Sequence, residues 1–345
     1  MKNIFLTMNL RLEMPASAGR NPASPKERSA EAGRPIPFGG AKGETFVRRF
    51  LALLSITGAL LPSSLPAAEN SVLAPGAKLE KLALEFDFTE GPTCDAAGNV
   101  FFTDQPFNRI MKWSVEGKLS TFMKPAGRAN GMCFDGQGNL LACADEKSEL
   151  WSIAPDGKVT VLVKDFGGQR LCGPNDVWVR PDGALYFTDP FYKRPWWTHQ
   201  KRPQNGEHVY FLSADRKNLK RVAEDLKQPN GIIGTPDGKN LYVADIGAGK
   251  TYCYDIQSDG MLTNKAPFCA LGSDGMTIDN EGNLYLTGNG VTVFDKAGKK
   301  IENIKLPGWT ANVCFGGKDR QTLFITSGKG LYSIQTRVKG ANPAK

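Results

Sequence analysis

Six polar residues recur at one position of a repeated sequence pattern. Each carries a side-chain oxygen and lies at the start of a short strand-like run; they are Glu90, Asn130, Asn175, Asn230, Asp274 and Asn312. Carboxylate and amide oxygens suit hard cations such as Ca²⁺, whereas softer metals favour Cys or His. The two histidines, His199 and His208, fall outside the set. These residue types predict one divalent cation, Ca²⁺ in the first place, with Zn²⁺, Mg²⁺ and Mn²⁺ as alternatives.

The same residue types are common in tight turns, which is the alternative interpretation. Asn-Gly and Asp-Gly pairs form turns, and Asn tolerates left-handed backbone conformations. Glu90 is not a turn former, however, and Asn175 is followed by Asp176 rather than by glycine. Each copy of the repeat also has a later turn of its own. Turn formation alone therefore leaves the shared position unexplained, and a binding site is favoured.

The repeat that carries these positions predicts an all-β, six-bladed β-propeller. Successive copies are 40, 45, 55, 44 and 38 residues apart, which is the period of four-stranded blades. The first five copies each contain four strand-like runs, here called strands A to D from the first to the last, with Gly-containing turns between them. A pair of β-sandwiches or a β-helix is the alternative, but sandwiches do not repeat at a fixed phase of about 40 residues. We predict a single propeller domain over residues 69–345.

The last copy lacks strand D, and an otherwise unassigned strand precedes the first copy. The run KLEKLALEF at 78–86 has strand character and belongs to no blade. Pairing of this run with the last blade would close the ring and remove its open sheet edges. We therefore predict that residues 78–86 complete the sixth blade.

One connection is much longer than its equivalents. Blade three inserts residues 190–207 between strands B and C, where other blades have links such as QPFN and EKS. Antiparallel order places these links on the face where strand A begins, so the insertion is a candidate wall or lid over the polar ring. Tyr192, Trp197 and His199 are its candidate substrate contacts. The alternative is that the Trp196–Trp197 pair only packs the loop onto a neighbouring blade.

Several segments together resemble the gluconolactonase/regucalcin (SGL) family over about residues 80–335. They are EGP at 90, GPNDVWVRPDGALYFTDP at 173, PNGIIGTPDGKNLYVAD at 229, SDGMTIDNEGNLY at 273 and CFGGKD at 314. The resemblance implies a six-bladed propeller with one divalent cation that hydrolyses lactones, as a carboxylic ester hydrolase does. By its motifs the metal ligands correspond to Glu90, Asn175, Asn230 and Asp274.

The sequence departs from the family where animal members carry an arginine that contacts sugar lactones. That position, two residues before Asn175, is Gly173. Substrate contact is therefore assigned to Asn130, Arg128, Asn312 and the long loop. The implied reaction opens a sugar lactone such as gluconolactone, with the cation acting as a Lewis acid and Asp274 as the general base for water. A non-catalytic propeller, stabilised by its metal and binding a small ligand or a protein partner, is the alternative.

The first 68 residues are read as a leader. Residues 1–47 lack a core pattern and are predicted to be a disordered extension. In residues 48–68, Arg48 and Arg49 precede the apolar run FLALLSITGALL and small residues, as in a secretory signal peptide. We therefore expect an exported protein, periplasmic or extracellular. A short helix docked on the domain is the alternative.

The net charge of the exported chain limits the classes of partner that we expect. Nine of the 43 Lys and Arg and four of the 35 Asp and Glu lie in the leader, so the remainder is nearly neutral, with 34 basic and 31 acidic residues. That balance gives no reason to expect nucleic-acid or membrane binding, and we expect a monomer or weak oligomer with a small-molecule substrate.

The seven cysteines are odd in number and mostly within strand-like runs, which favours buried free thiols over disulfides.

Overall fold

The computed structural model describes residues 71–341, which form a six-bladed β-propeller with four-stranded antiparallel blades. Blade one contains Thr89–Cys94, Val100–Asp104, Arg109–Trp113 and Leu119–Met123. Blade two contains Ala129–Phe134, Leu140–Ala144, Glu149–Ile153 and Val159–Val163. Blade three contains Val177–Val179, Leu185–Asp189, Glu207–Leu212 and Leu219–Leu226. Blade four contains Pro229–Gly234, Asn240–Asp245, Lys250–Ile256 and Leu262–Cys269. Blade five contains Met276–Ile278, Leu284–Gly288, Gly290–Phe294 and Lys300–Ile304.

The sixth blade is closed by the strand that precedes the first blade, as predicted. Its sequential strands are Thr310–Gly316, Thr322–Ser327 and Gly330–Gln335, and its fourth is Glu80–Ala83. Glu80 pairs with Ser333 and Lys81 with Tyr332 in antiparallel register. The strand is shorter than the predicted run 78–86, but it has the predicted place. The ring is therefore closed, and no sheet edge is left open between its first and last blades.

The innermost strands A of neighbouring blades contact one another around the whole ring, including blade six against blade one. Strands A and B are almost entirely buried, whereas most residues of strands D are exposed or half-buried. Side chains of adjacent blades share each core cluster, as where Trp178 and Tyr186 of blade three pack with Ile232 and Val243 of blade four. Burial of each such side chain contributes about 1.5–3 kcal/mol. The blade interfaces thus fix the positions at which the strands A begin.

The A–B turns explain the recurring Asp-x-x-Gly-Asn pattern of the sequence. In blade two, Asp135 Oδ1 accepts from the Asn139 backbone N–H at 2.8 Å, and Asp135 Oδ2 accepts from Asn139 Nδ2 at 2.9 Å. Blades one and five repeat these bonds at Asp95 and Asp279. The pattern therefore serves turn geometry on the face opposite the polar ring.

Smaller elements outside the blades did not follow from the repeat. A two-stranded hairpin pairs Asp165–Phe166 with Gln169–Arg170, and a 3₁₀ helix spans Ile246–Ala248. Within residues 71–341 no helix has the length and apolar character that crossing a membrane requires. The predicted extension 1–47 and signal peptide 48–68 lie outside the described residues.

The cysteines are free, as the sequence favoured. All seven are unpaired in the described part of the chain, and Cys94, Cys143, Cys172 and Cys314 are buried. The remaining three are half-buried. Their burial is consistent with the use of cysteine as a small apolar core residue.

Candidate functional site

The six polar residues of the repeat lie where the innermost strands begin, at one end of the propeller axis. Glu90, Asn130, Asn230 and Asn312 fall within strands A of their blades, and Asn175 and Asp274 lie two residues before theirs. Five of the six are at most 6% exposed, and Asp274 is half-buried. The structure therefore brings together a ring of oxygen-bearing side chains from all six blades.

Glycines that follow ring residues allow the neighbouring strands to approach closely. A Cβ built on Gly91 would lie 2.0 Å from the Asn130 carbonyl oxygen, and one on Gly275 would lie 2.0 Å from Asn312 Cγ. Gly275 does not have a left-handed backbone, so its conformation alone does not require glycine. The lack of a side chain there serves packing between blades, which weakens the interpretation of these dipeptides as simple turns.

Asp274 accepts hydrogen bonds on both of its carboxylate oxygens. Asn230 Nδ2 donates to Asp274 Oδ1 at 2.8 Å, and Trp309 Nε1 donates to Asp274 Oδ2 at 2.7 Å. Asn230 Nδ2 also donates to the Tyr192 hydroxyl at 2.8 Å. Burial raises the pKa of Asp274, and the bonds from Trp309 and Asn230, with the charge of Arg194, oppose that rise. The carboxylate is thus oriented by fixed donors on two sides.

Two further carboxylates lie close enough to Asp274 for its charge to change their pKa values. Burial raises the pKa of Glu90 well above its ordinary value, and the charge of Asp274 raises it further. Burial likewise raises the pKa of Asp176 to about 7, with a smaller contribution from Asp274. Clustered buried carboxylates are costly unless a cation or proton compensates them. The site therefore has the electrostatics of a cation-binding centre.

Two ring amides have oxygen atoms that make no hydrogen bond in the described part of the chain. The Oδ1 atoms of Asn130 and Asn230 are both buried without a partner. Buried amide oxygens are nearly always satisfied, and a coordinated cation is one partner that would satisfy them. Among residues 71–341, no group of three or more His, Cys, Asp and Glu side chains is arranged to hold a metal. A cation at this ring would therefore depend on amide as well as carboxylate oxygens.

The candidate ligand set fits that requirement. The set Glu90, Asn175, Asn230 and Asp274 supplies two carboxylates and two amides, all hard oxygen donors. One of the two unpartnered amide oxygens belongs to it, and the other belongs to Asn130. Asn312, the remaining ring member, lies beside Glu90 and Asp176 and lowers the pKa of both. A cavity of about 110 Å³, lined in part by Asp176 and Asn312, continues the channel from the ring.

The long loop of blade three reaches the ring through Tyr192 and docks on blade two through its tryptophans. The indole N–H of Trp196 donates to Asp145 Oδ2 at 2.9 Å, and that of Trp197 donates to the Asp145 carbonyl oxygen at 2.7 Å. Trp197 is 5% exposed and stacks on the His199 ring at a centroid distance of 4.8 Å. These contacts favour a packing role for Trp197, whereas Tyr192 contacts the ring through Asn230.

His199 and Arg128, the two basic residues among the predicted substrate contacts, are held by neighbouring groups. Burial lowers the pKa of His199, and the charge of Arg170, whose Nη1 lies 3.2 Å from His199 Nδ1, lowers it further. The guanidinium carbon of Arg128 lies 4.6 Å from the Trp196 ring centroid, and its Nη1 donates to the Pro106 carbonyl at 2.8 Å. Neither residue hydrogen-bonds to a ring residue within the described chain.

The structure also explains why residue 173 is glycine. A Cβ at Gly173 would lie 2.7 Å from the Trp197 ring and 3.2 Å from Asp145 Oδ1. The inserted loop thus occupies the space into which a larger side chain at 173 would project.

The aspartates that end strands B mostly cap loops. Asp189 accepts from the backbone of Cys172 and Gly173, and Asp245 accepts from the backbone of Lys227 and Gln228. Asp145 differs, because it accepts from the loop of the next blade.

Sequence reasoning missed Arg194, Trp309 and Asp176 as members of the site. Trp309 lies immediately before strand A of blade six and is 48% exposed. Because Trp309 lies next to the start of a repeat copy, the sequence could have indicated it as a site residue. Asp176 could have been found as the acidic residue that replaces glycine after a ring position. Nothing in the sequence singled out Arg194 among the basic residues of the loop.

Comparison with known proteins places this architecture among lactone-related propellers. Residues 88–329 match the family model described as SMP-30/Gluconolactonase/LRE-like region. A gluconolactonase of Zymomonas mobilis is 29% identical over 303 residues, covering 79% of this chain and 85% of its own. A solved gluconolactonase structure from Xanthomonas campestris superposes with a TM-score of 0.73 at 30% identity, covering 77% of this chain and 91% of that one. A calcium-binding regucalcin of Agrobacterium tumefaciens shares the fold at a TM-score of 0.64 and 21% identity, covering 77% of this chain and 96% of that one.

Proposed function

The chain belongs to the SMP-30/gluconolactonase/LRE-like family, and we propose that it is a lactone hydrolase that works with a divalent cation at the propeller axis. Relatives named gluconolactonase and lactonase support an enzyme that opens cyclic esters of small molecules. We propose a sugar lactone such as gluconolactone as the substrate.

The observation that best supports a bound cation is that the ring contains a buried oxygen atom without a hydrogen-bond partner and carboxylates that repel each other. The buried Oδ1 of Asn230 has no hydrogen-bond partner, and the carboxylates of Glu90 and Asp274 raise the cost of each other's ionisation. A divalent cation held by Glu90, Asn175, Asn230 and Asp274 would relieve both conditions. Because every donor is an oxygen, Ca²⁺ is the expected ion, with Mg²⁺, Mn²⁺ and Zn²⁺ as alternatives. The calcium-binding regucalcin of the same fold agrees with this choice.

The reaction requires a polarised carbonyl, an attacking water and an acceptor for its proton. When bound, the cation supplies the Lewis acidity that polarises the lactone carbonyl. Asp274 is the proposed proton acceptor, because it is half-buried at the mouth of the ring and its two oxygens are oriented by Asn230 and Trp309. The chain's own residues thus hold the base in one orientation before substrate arrives.

The substrate-facing groups lie around the same mouth. The buried Oδ1 of Asn130, which has no hydrogen-bond partner within residues 71–341, is the proposed acceptor for a substrate hydroxyl. Tyr192 and Trp309 flank the Asn230–Asp274 pair and present aromatic surface beside it. Aromatic faces beside hydrogen-bonding groups are typical of sites for small polar ligands. This arrangement supports a compact polar substrate.

We also propose that the chain is exported. The sequence RRFLALLSITGALLPSSLPAA combines a basic start, an apolar core and small residues near its end. Removal of this segment would leave the propeller as the mature protein in the periplasm or outside the cell. Amino-terminal sequencing of protein recovered from periplasmic and culture fractions tests this proposal, and an intact leader in every fraction would refute it.

Turnover of gluconolactone and other lactones, followed by acid release in a pH-stat, tests the function. We expect Glu90→Gln and chelation by EDTA each to reduce turnover by at least about 100-fold, as loss of a metal ligand does. Glu85→Gln is the matched control, because Glu85 is exposed in the link before blade one. Re-addition of Ca²⁺, Mg²⁺, Mn²⁺ or Zn²⁺ after chelation identifies the active ion.

Two results would contradict the proposal. Full activity after exhaustive chelation would exclude the cation from the reaction. Specific binding of a sugar acid in native mass spectrometry without turnover of any lactone would instead identify a non-catalytic binding propeller.

A further inference from the structure

Arg194, in the inserted loop of blade three, is held rigidly beside the ring. Its guanidinium carbon lies 5.2 Å from the Tyr192 ring centroid and 5.7 Å from that of Trp196. Its Nε lies 3.3 Å from Asp145 Oδ2, and the side chain is 19% exposed. Two aromatic rings and one carboxylate therefore fix a side chain that is ordinarily flexible.

The terminal nitrogens of Arg194 lack acceptors. Neither Nη1 nor Nη2 hydrogen-bonds to any residue between 71 and 341, and neither is among the fully buried unpartnered atoms. Arg128, whose guanidinium also contacts Trp196, differs because its Nη1 already donates to the Pro106 carbonyl. Arg194 thus presents a planar pair of unused donors, and both remain accessible.

This pair of donors lies close to the reacting centre. Tyr192, over which Arg194 stacks, accepts a hydrogen bond from the candidate ligand Asn230 at 2.8 Å. The charge of Arg194 also lowers the pKa of Asp274 and of Tyr192. One aromatic side chain, Tyr192, therefore separates the guanidinium from the candidate ligand Asn230.

We propose that Arg194 binds a carboxylate substituent of the substrate, so that the site favours lactones that carry a free carboxylate, such as those of sugar dicarboxylic acids. This inference rests on the proposed lactonase function of the ring. A planar guanidinium with two free donors matches the two oxygens of a carboxylate in a bidentate pair. An anionic substituent beside Glu90, Asp176 and Asp274 would otherwise be repelled, and Arg194 provides the compensating charge.

Kinetics of the full-length protein on three lactones test the proposal. The lactones are glucarolactone, which has a carboxylate, gluconolactone, which has hydroxyls only, and unsubstituted δ-valerolactone. We expect Arg194→Met to raise KM for glucarolactone by about 10- to 100-fold, the range for loss of charge-assisted hydrogen bonds. Any change that the variant makes through the pKa of Asp274 should affect kcat for all three lactones alike. Arg194→Lys should recover part of the loss, because it restores the charge without the planar pair of donors. Lys193→Met is the matched control, since Lys193 is an exposed cation in the same loop.

Each other outcome would overturn the inference. An equal loss on all three lactones, or a larger loss on gluconolactone than on glucarolactone, would mean that Arg194 does not recognise a carboxylate. If the parent protein opens none of the lactones, the lactonase proposal fails. Calorimetric binding of glucarate to the parent and to Arg194→Met still decides the role of Arg194 in that case, because equal affinities would refute it and a loss confined to the variant would support it.

Discussion

Replacement of Gly275 by alanine tests whether close packing of neighbouring strands holds the polar ring together. The added Cβ would lie 2.0 Å from Asn312 Cγ, 2.2 Å from its Oδ1 and 2.3 Å from its Nδ2. Ordinary contact between carbon atoms begins at about 3.5 Å, so the Asn312 amide would have to retreat by about 1.5 Å. That movement would break the bond in which Asn312 Oδ1 accepts from the Val313 backbone N–H at 2.7 Å.

The expected cost has two parts. Overpacking of a well-packed interior costs about 1–3 kcal/mol, and loss of one buried hydrogen bond costs about 1 kcal/mol more. We therefore expect Gly275→Ala to lower the free energy of unfolding by about 2–4 kcal/mol. Guanidinium chloride unfolding, followed by tryptophan fluorescence, measures this difference. Because the displaced amide adjoins Glu90, affinity for the cation in calorimetry should fall as well.

Gly136→Ala is the matched control for this experiment. Gly136 is exposed in the A–B turn of blade two, its backbone is not left-handed, and a Cβ there would meet nothing within 4 Å. Its substitution should change the free energy of unfolding by no more than about 1 kcal/mol. If Gly275→Ala is within about 0.5 kcal/mol of the control, the strands do not need the space, and the explanation of the ring dipeptides by packing is refuted.

Two further predictions follow from the same contacts. Trp309→Phe keeps an aromatic surface but removes the N–H that donates to Asp274 Oδ2. Cation affinity measured by calorimetry should fall about 10-fold, the lower end for a hydrogen bond to a charged group, because Trp309 is half-exposed. Unchanged affinity would show that the bond does not position Asp274. Burial raises the pKa of Cys94 to about 11 and that of Cys133 to about 12. At pH 8 both thiols therefore stay protonated and should react with Ellman's reagent only after unfolding in guanidinium chloride; rapid labelling of either in the native protein would contradict this.

The sequence predicted those features that depend on the repeat. The shared phase of the copies placed Glu90 and Asp274 at equivalent positions although 184 residues separate them in the chain. The missing last strand predicted the closing strand near Glu80, which pairs with Ser333. Both inferences work because a propeller blade imposes the same geometry on every copy.

Contacts made by the inserted loop could not be predicted in this way. Arg194 and Trp197 have no equivalents in other blades, so no periodic pattern constrained where their side chains lie. Their partners, Asp145 and Gly173, precede them by more than 20 residues and belong partly to another blade. Only the folded backbone shows that Trp197 fills the space beside Gly173 and that Arg194 is left with free donors.

The arrangement of residues behind the ring bears on how a cation would bind. A Cβ on Gly131 would lie 2.3 Å from Asp176 Oδ1, and one on Gly231 would lie 3.0 Å from the Asp274 carbonyl oxygen. Together with Gly91 and Gly275, these glycines receive atoms of the next blade at four of the six junctions. The direction in which each ring side chain enters the axis is therefore set by backbone packing between blades. A site fixed in this way loses little conformational freedom when it binds an ion, so the oxygen atoms of Asn230 and Asp274 should occupy nearly the same positions before and after the cation is bound.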